Sequence, residues 1–236
     1  MVPADSAPLL AALERAGARL VIVSSGGGSL AIPRLVTTPG ASAVVVDALV
    51  PYSREAVDRL LGGPQESYCA PRTARRLAVA AWQRARDLGA PADRAVGAAV
   101  TAALRSREPK RGDHRVIAAV QTLAATACVE VVLEKSARTR AEEEEVAAAL
   151  VLDALAIECG GPVGTVGGLL RRGEIARRVS VVAPAEWRRL MAGESRVTAG
   201  TTACPAAPRR PRRAVRLLRA AEQAIHRLAR VGHERV

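Results

Sequence analysis

Arg19-Leu20-Val21-Ile22-Val23-Ser24-Ser25-Gly26-Gly27-Gly28-Ser29 joins an unbroken apolar run to a glycine turn. Four apolar residues in a row, Leu20 to Val23, predict a strand covered on both faces, the kind found inside a sheet with helices on either side. The turn that follows admits three readings: a phosphate cradle, a nucleophile held on a turn, or a plain link to the next helix. It is neither G-x-G-x-x-G nor a P-loop. As a helix start, the backbone N–H groups of Gly26, Gly27, Gly28 and Ser29 would suit a phosphate or a developing oxyanion.

Outward from this strand the pattern alternates. Ser6-Ala7-Pro8 with Leu9, Leu10 and Leu13 predicts a helix that ends near Gly17, and a short helix is expected up to Val36. Pro39-Gly40 is a turn, and Ser42 to Val50 reads as a second strand. Ser53 is placed to cap a helix that Gly62-Gly63-Pro64 stops, and Pro71 to Leu88 has the apolar spacing of a long helix. Strands are expected at Ala95 to Thr101, Arg115 to Gln121 and Cys128 to Leu133, with a polar loop from Arg105 to Asp113. Thr139 should cap a helix running to about Ile157, with Glu142 to Glu145 as a solvated helix start. The order implies an α/β fold, a three-layer α/β/α sandwich with a mostly parallel central sheet, followed by a helical or disordered C-terminal tail. The expected division is 1–160 for the α/β domain, 161–197 for a linker with a short helix at Ala185 to Met191, and 198–236 for an Arg/Pro-rich tail with one amphipathic helix.

Composition narrows the function. The chain has 236 residues, no Phe, and a formal charge of +12. Only Lys110 and Lys135 are lysines, which with the abundance of Ala reads as a G/C-rich coding bias and not as selection for a phosphate surface. From Pro205 onward nine Arg face Glu222 and Glu234, a net of +7, so the rest of the chain carries only +5. The tail has no aromatic residue for base stacking, and nucleic acid is not expected as a partner. Cys69, Cys128, Cys159 and Cys204 are widely spaced, with three His in the chain and no clustered ligands. No metal and no cofactor are therefore expected, and a reduced, cytoplasmic location is the simplest reading. No membrane span is apparent.

Four segments in order and in register resemble the C-terminal domain of CinA (competence/damage-inducible) proteins, also known as nicotinamide mononucleotide deamidases. They are Ser24-Ser25-Gly26-Gly27-Gly28, Pro39-Gly40-Ala41-Ser42, Tyr52-Ser53-Arg54-Glu55-Ala56-Val57 and Ala99-Val100-Thr101-Ala102, and Arg138-Thr139-Arg140 looks familiar as a helix start. The likeness spans about residues 18 to 157. It also resembles a divergent type in which such a domain precedes a nucleotidyltransferase, whose His-x-Gly-His this chain lacks. On that basis the last 30 or so residues are read as the product of a truncation or frameshift.

The resemblance implies a small-molecule mononucleotide as ligand and amidohydrolase chemistry in NAD metabolism, with Ser25 as nucleophile and Tyr52 as its activator. Tyr52 could equally pack at the sheet edge. The family's lysine falls on Val57, which cannot take a proton, so weak or absent deamidation is expected. The alternative is an inactive ligand-binding or regulatory module. Thr101 keeps the family's threonine. Lys110, Arg111 and His114 lie at the expected ligand end of the sheet, where they would contact a phosphate or form a solvated basic loop. Lys110 could also replace the missing base. A homo-oligomer is left open.

Overall fold

The computed structural model describes residues 6–108 and 111–194. In chain order its elements are α1 (Ala7–Arg15), β1 (Arg19–Ser25), α2 (Ala31–Val36), α3 (Ala41–Val44), β2 (Val45–Leu49), α4 (Arg54–Leu61), α5 (Pro71–Asp87), β3 (Ala95–Ala103), β4 (His114–Gln121), β5 (Ala125–Leu133), α6 (Arg140–Cys159), β6 (Arg177–Val182) and α7 (Ala185–Ala192).

The apolar run of β1 sits where its composition requires, with Leu20 to Val23 fully buried. β1 pairs in parallel with β2 on one side and β3 on the other, and the sheet order is β2-β1-β3-β4-β5-β6. The last three pairings are antiparallel. Four strands (β2, β1, β3 and β5) thus point one way, and β4 and β6 point back.

Side chains alternate between two cores. Leu20, Ile22, Val100, Val116 and Ala118 face α1, α2, α3 and α6. Val21, Val23, Ala99, Ile117 and Ala119 face α4 and α5. Both faces of the sheet are covered over β1, β3 and β4, giving the three layers expected. α6 is buried almost all round from Val146 to Ala156, between the sheet and the α1–α2 side.

Alanine-rich packing brings α5 very close to β3. A Cβ on Gly97 would lie 2.1 Å from the Ala78 carbonyl oxygen and 2.2 Å from the Trp82 nitrogen, so only glycine fits beneath the helix.

Two differences from the sequence reading have plain causes. Ser42 to Val44, expected as the start of the second strand, lies in one helical turn (Ala41–Val44) entered from Gly40, and β2 begins only at Val45. β6 was not anticipated at all. Its sequence, RRVSVV, opens with two arginines because it is an edge strand exposed on both faces, so no apolar alternation marks it. It lies within the segment read as a linker with a short helix, of which α7 is the helix. The tail expected from 198 lies outside the described residues. Among the described residues no helix is long and apolar enough to cross a membrane.

Candidate ligand crevice at the carboxyl ends of β1 and β3

The chain leaves β1 toward β2 on one side, and leaves β3 toward β4 on the other. Ligands of open α/β sheets bind in the crevice at such a switch point, outside the carboxyl ends of the strands. Here Ser25, the last residue of β1, is the register partner of Thr101 in β3. The glycine turn rises on one side of the pair and the loop after β3 on the other.

The turn is shaped by contacts within the chain. Ser24 Oγ donates to the Gly27 carbonyl at 2.9 Å. Gly26 and Gly28 have φ of +73° and +86°, a region L side chains rarely adopt. A Cβ on Gly26 would lie 2.2 Å from the Ala102 carbonyl oxygen, and one on Gly27 would lie 2.6 Å from Leu104 Cδ1. The space that three absent side chains leave is filled by the end of β3.

The donors of the turn hold an anion, the carboxylate of Glu144. Its Oε1 accepts from Ser29 Oγ at 3.0 Å and from the Leu30 N–H at 3.3 Å. Its Oε2 accepts from Arg140 at 2.9 Å, and Arg140 also donates to the Gly26 carbonyl at 3.3 Å. Burial alone would raise the Glu144 carboxyl. Arg140 and the turn's donors outweigh that and hold it below the ordinary range. The expectation of a solvated run at Glu142 to Glu145 is overturned here. Glu143 and Glu144 are buried, Glu145 pairs with Arg34, and only Glu142 serves as the exposed half of a capping box with Thr139.

The other expected site residues separate into three groups. Ser25 is buried beside Thr101, and its hydroxyl has no hydrogen bond to a described residue. Thr101 Oγ1 donates to the Tyr68 carbonyl at 2.5 Å, which anchors the 62–70 loop over the sheet edge. Tyr68, not Tyr52, is the tyrosine with built surroundings: its hydroxyl meets both Asp58 oxygens at 2.9 and 3.0 Å, and Arg54 lies over its ring at 5.3 Å. Tyr52 is 76% exposed and hydrogen-bonds no described side chain. Val57, at the family's lysine position, is buried with Leu61 against α5.

His114 opens β4 and is buried. Its Nδ1 lies 2.5 Å from Glu143 Oε1, while Glu143 Oε2 accepts the Arg105 N–H, so the pair fixes the root of the loop. Arg111 is exposed, and its carbonyl accepts from Lys135 Nζ at 2.9 Å. Lys110 lies outside the described residues.

Above this root is an open depression of about 400 Å³ lined by Arg105, Ser106, Arg107, Thr139 and Arg140. Arg105 donates to the Arg138 carbonyl at 2.9 Å. Arg138 itself forks onto Glu174 at 2.6 and 2.7 Å, both side chains being buried. Burial opposes the charge of Glu174, but Arg138 and the N–H groups of Arg171 and Glu134 hold its pKa down to about 2. The sequence reading passed over Arg105 and Arg107 as part of a polar loop, and took Arg140 only as a helix start. The available signal was Arg-x-Arg after a strand, repeated at Arg138-Thr139-Arg140.

The chain is similar in structure to the competence or damage-inducible protein from Enterobacter asburiae, with a TM-score of 0.52 and 19% identity over 65% of this chain and 92% of that one. It is similar to a competence-damaged protein (CinA) superfamily protein from Enterobacter cloacae, with a TM-score of 0.51 and 20% identity over 65% of this chain and 87% of that one. The competence/damage inducible protein CihA from Agrobacterium tumefaciens gives a TM-score of 0.50 and 21% identity over 68% and 97%. The fold is the one these three structures share. No family model and no curated protein matches the chain. At these identities the likeness carries the CinA-like fold alone, and it agrees with the resemblance read from the motifs around Ser25, Pro39-Gly40, Tyr52 and Thr101.

Proposed function

We propose that this CinA-like domain binds a pyridine mononucleotide, or a phosphorylated small molecule of that kind, in the crevice outside β1 and β3, and that it turns this ligand over slowly or not at all. The observation that carries the reading is the junction of Ser25 with Thr101 at the sheet's switch point, beside an open, arginine-lined depression. Deamidation is the reaction the resemblance implies, and it needs a nucleophile with a base in hydrogen-bond reach. The Ser25 hydroxyl has no such partner among the described residues, Tyr52 points no hydrogen bond to it, and the lysine position is the buried Val57. Binding is supported better than turnover.

Calorimetry with nicotinamide mononucleotide tests the binding, and ammonia release on prolonged incubation tests the turnover. Saturable binding with ammonia at background is the expected pair of results. Brisk ammonia release that Ser25→Ala abolishes would overturn the second half of the proposal, and no binding of the mononucleotide would overturn the first.

A further inference from the structure

The glycine turn and the arginine depression compete for the role of phosphate site, and Glu144 decides between them. A turn whose Ser29 hydroxyl and Leu30 N–H already face a carboxylate offers no room for a second anion. We propose that a phosphate monoester dianion is bound in the depression instead, by the guanidinium groups of Arg105, Arg107 and Arg140, with the Ser106 and Thr139 hydroxyls on its rim. This deepens the crevice reading above and rests on it for the nature of the ligand, not for the existence of the site.

Charge supports the assignment. Among the described residues neither Arg105 nor Arg107 has a carboxylate partner; Arg105 donates to a carbonyl, and both are exposed. Two of the carboxylates below it are committed elsewhere: Glu143 faces His114 and the Arg105 N–H, and Glu144 faces the turn and shares Arg140, while the loop itself carries the exposed Glu108 next to Arg107. In the loop itself the Glu108 carbonyl takes the Ser106 hydroxyl at 2.7 Å. Two uncompensated guanidinium groups and a third shared one match the charge of a phosphate monoester and its need for forked donors. A volume of about 400 Å³ is within the range of small-ligand sites. The depression is also anchored from below, because the Arg105 backbone is tied to Glu143 and its side chain to the Arg138 carbonyl.

The test titrates the full chain with inorganic phosphate at fixed low ionic strength, and again with nicotinamide mononucleotide. Arg107→Ala, an exposed change that should leave the melting temperature unaltered, is expected to weaken phosphate binding about 10-fold. Ser29→Ala in the turn and Arg177→Ala on β6 should each stay within about twofold of the wild type. Unchanged phosphate affinity in Arg107→Ala overturns the assignment. So does a loss in Ser29→Ala as large as that in Arg107→Ala, which would put the phosphate in the turn. The mononucleotide separates the two proposals. Phosphate binding that depends on Arg107, with no mononucleotide binding, upholds the depression and removes the pyridine ligand. Mononucleotide binding indifferent to Arg107→Ala upholds the ligand and removes the depression.

Discussion

Gly26→Ala isolates what the glycine turn is for. In the structure a Cβ at this position lies 2.2 Å from the Ala102 carbonyl oxygen and the residue has φ of +73°. The left-handed backbone costs an alanine about 1 kcal/mol. The contact is with main chain, so the turn or the end of β3 must retreat by roughly 1 Å to reach ordinary van der Waals distance, an overpacking cost of about 1–3 kcal/mol. Retreat also lengthens the bonds from Ser29 and Leu30 to Glu144, and weakening one charge-assisted bond adds about 1 kcal/mol. The expected total is about 3–5 kcal/mol, or a fall of roughly 10 °C in Tm for a domain of this size. Guanidinium unfolding followed by far-UV dichroism and by fluorescence of the buried Trp82 gives the number. Gly26→Asn refines it. Asparagine tolerates the left-handed region but carries the same Cβ, so it should recover only the smaller part of the loss. A loss below about 1 kcal/mol for Gly26→Ala, or wild-type stability for Gly26→Asn, would refute the claim that the turn is glycine for internal packing.

Three further outcomes are expected. Gly97→Ala should cost at least as much as Gly26→Ala, about 3–5 kcal/mol, because its Cβ meets the α5 backbone at two atoms; chemical denaturation measures it. Thr139→Ala removes the capping-box hydroxyl that accepts the Glu142 N–H at 3.2 Å and should cost about 1 kcal/mol in the same assay. Glu174→Gln should lose on the order of 3 kcal/mol at pH 7 by leaving Arg138 without its counter-charge. The Glu174 pKa is depressed from 4.5 to about 2, so its contribution is complete above pH 4.5 and fades as pH falls toward 2. The gap between wild type and variant should therefore narrow over that window, and a gap that stays constant from pH 5 to pH 2.5 would contradict the ion-pair account.

Much of the fold was legible because the covered strands announce themselves. Leu20 to Val23 and the Val/Ala runs of β3 and β4 have the continuous apolar character of strands buried on both faces, and Ser53 and Thr139 carry cap chemistry that fixes two helix starts. The short α3 and the exposed β6 were not legible, one because valines near a turn look like strand, the other because an edge strand has no buried face to impose a period. For the site, position was readable and partnership was not. Ser25 and Thr101 were placed by register, and they are neighbours. That Glu144 reaches the turn, that His114 turns to Glu143, and that Tyr68 rather than Tyr52 is built into the crevice wall depend on side chains up to 115 positions apart. No local pattern encodes such pairings; a row of four glutamates looks the same whether one of them enters a turn or all face water.

The Glu144 bridge has a mechanical side. It fastens residues 29–30 to the second turn of a helix that is buried almost all round through its middle. A surface turn would ordinarily open by itself on a fast timescale, but here opening must break a carboxylate anchored to α6. Amide exchange at Leu30 should then proceed with the slow cooperative unit that contains α6, at rates far below those of the exposed Arg111–Asp113 loop. The turn moves with the helix.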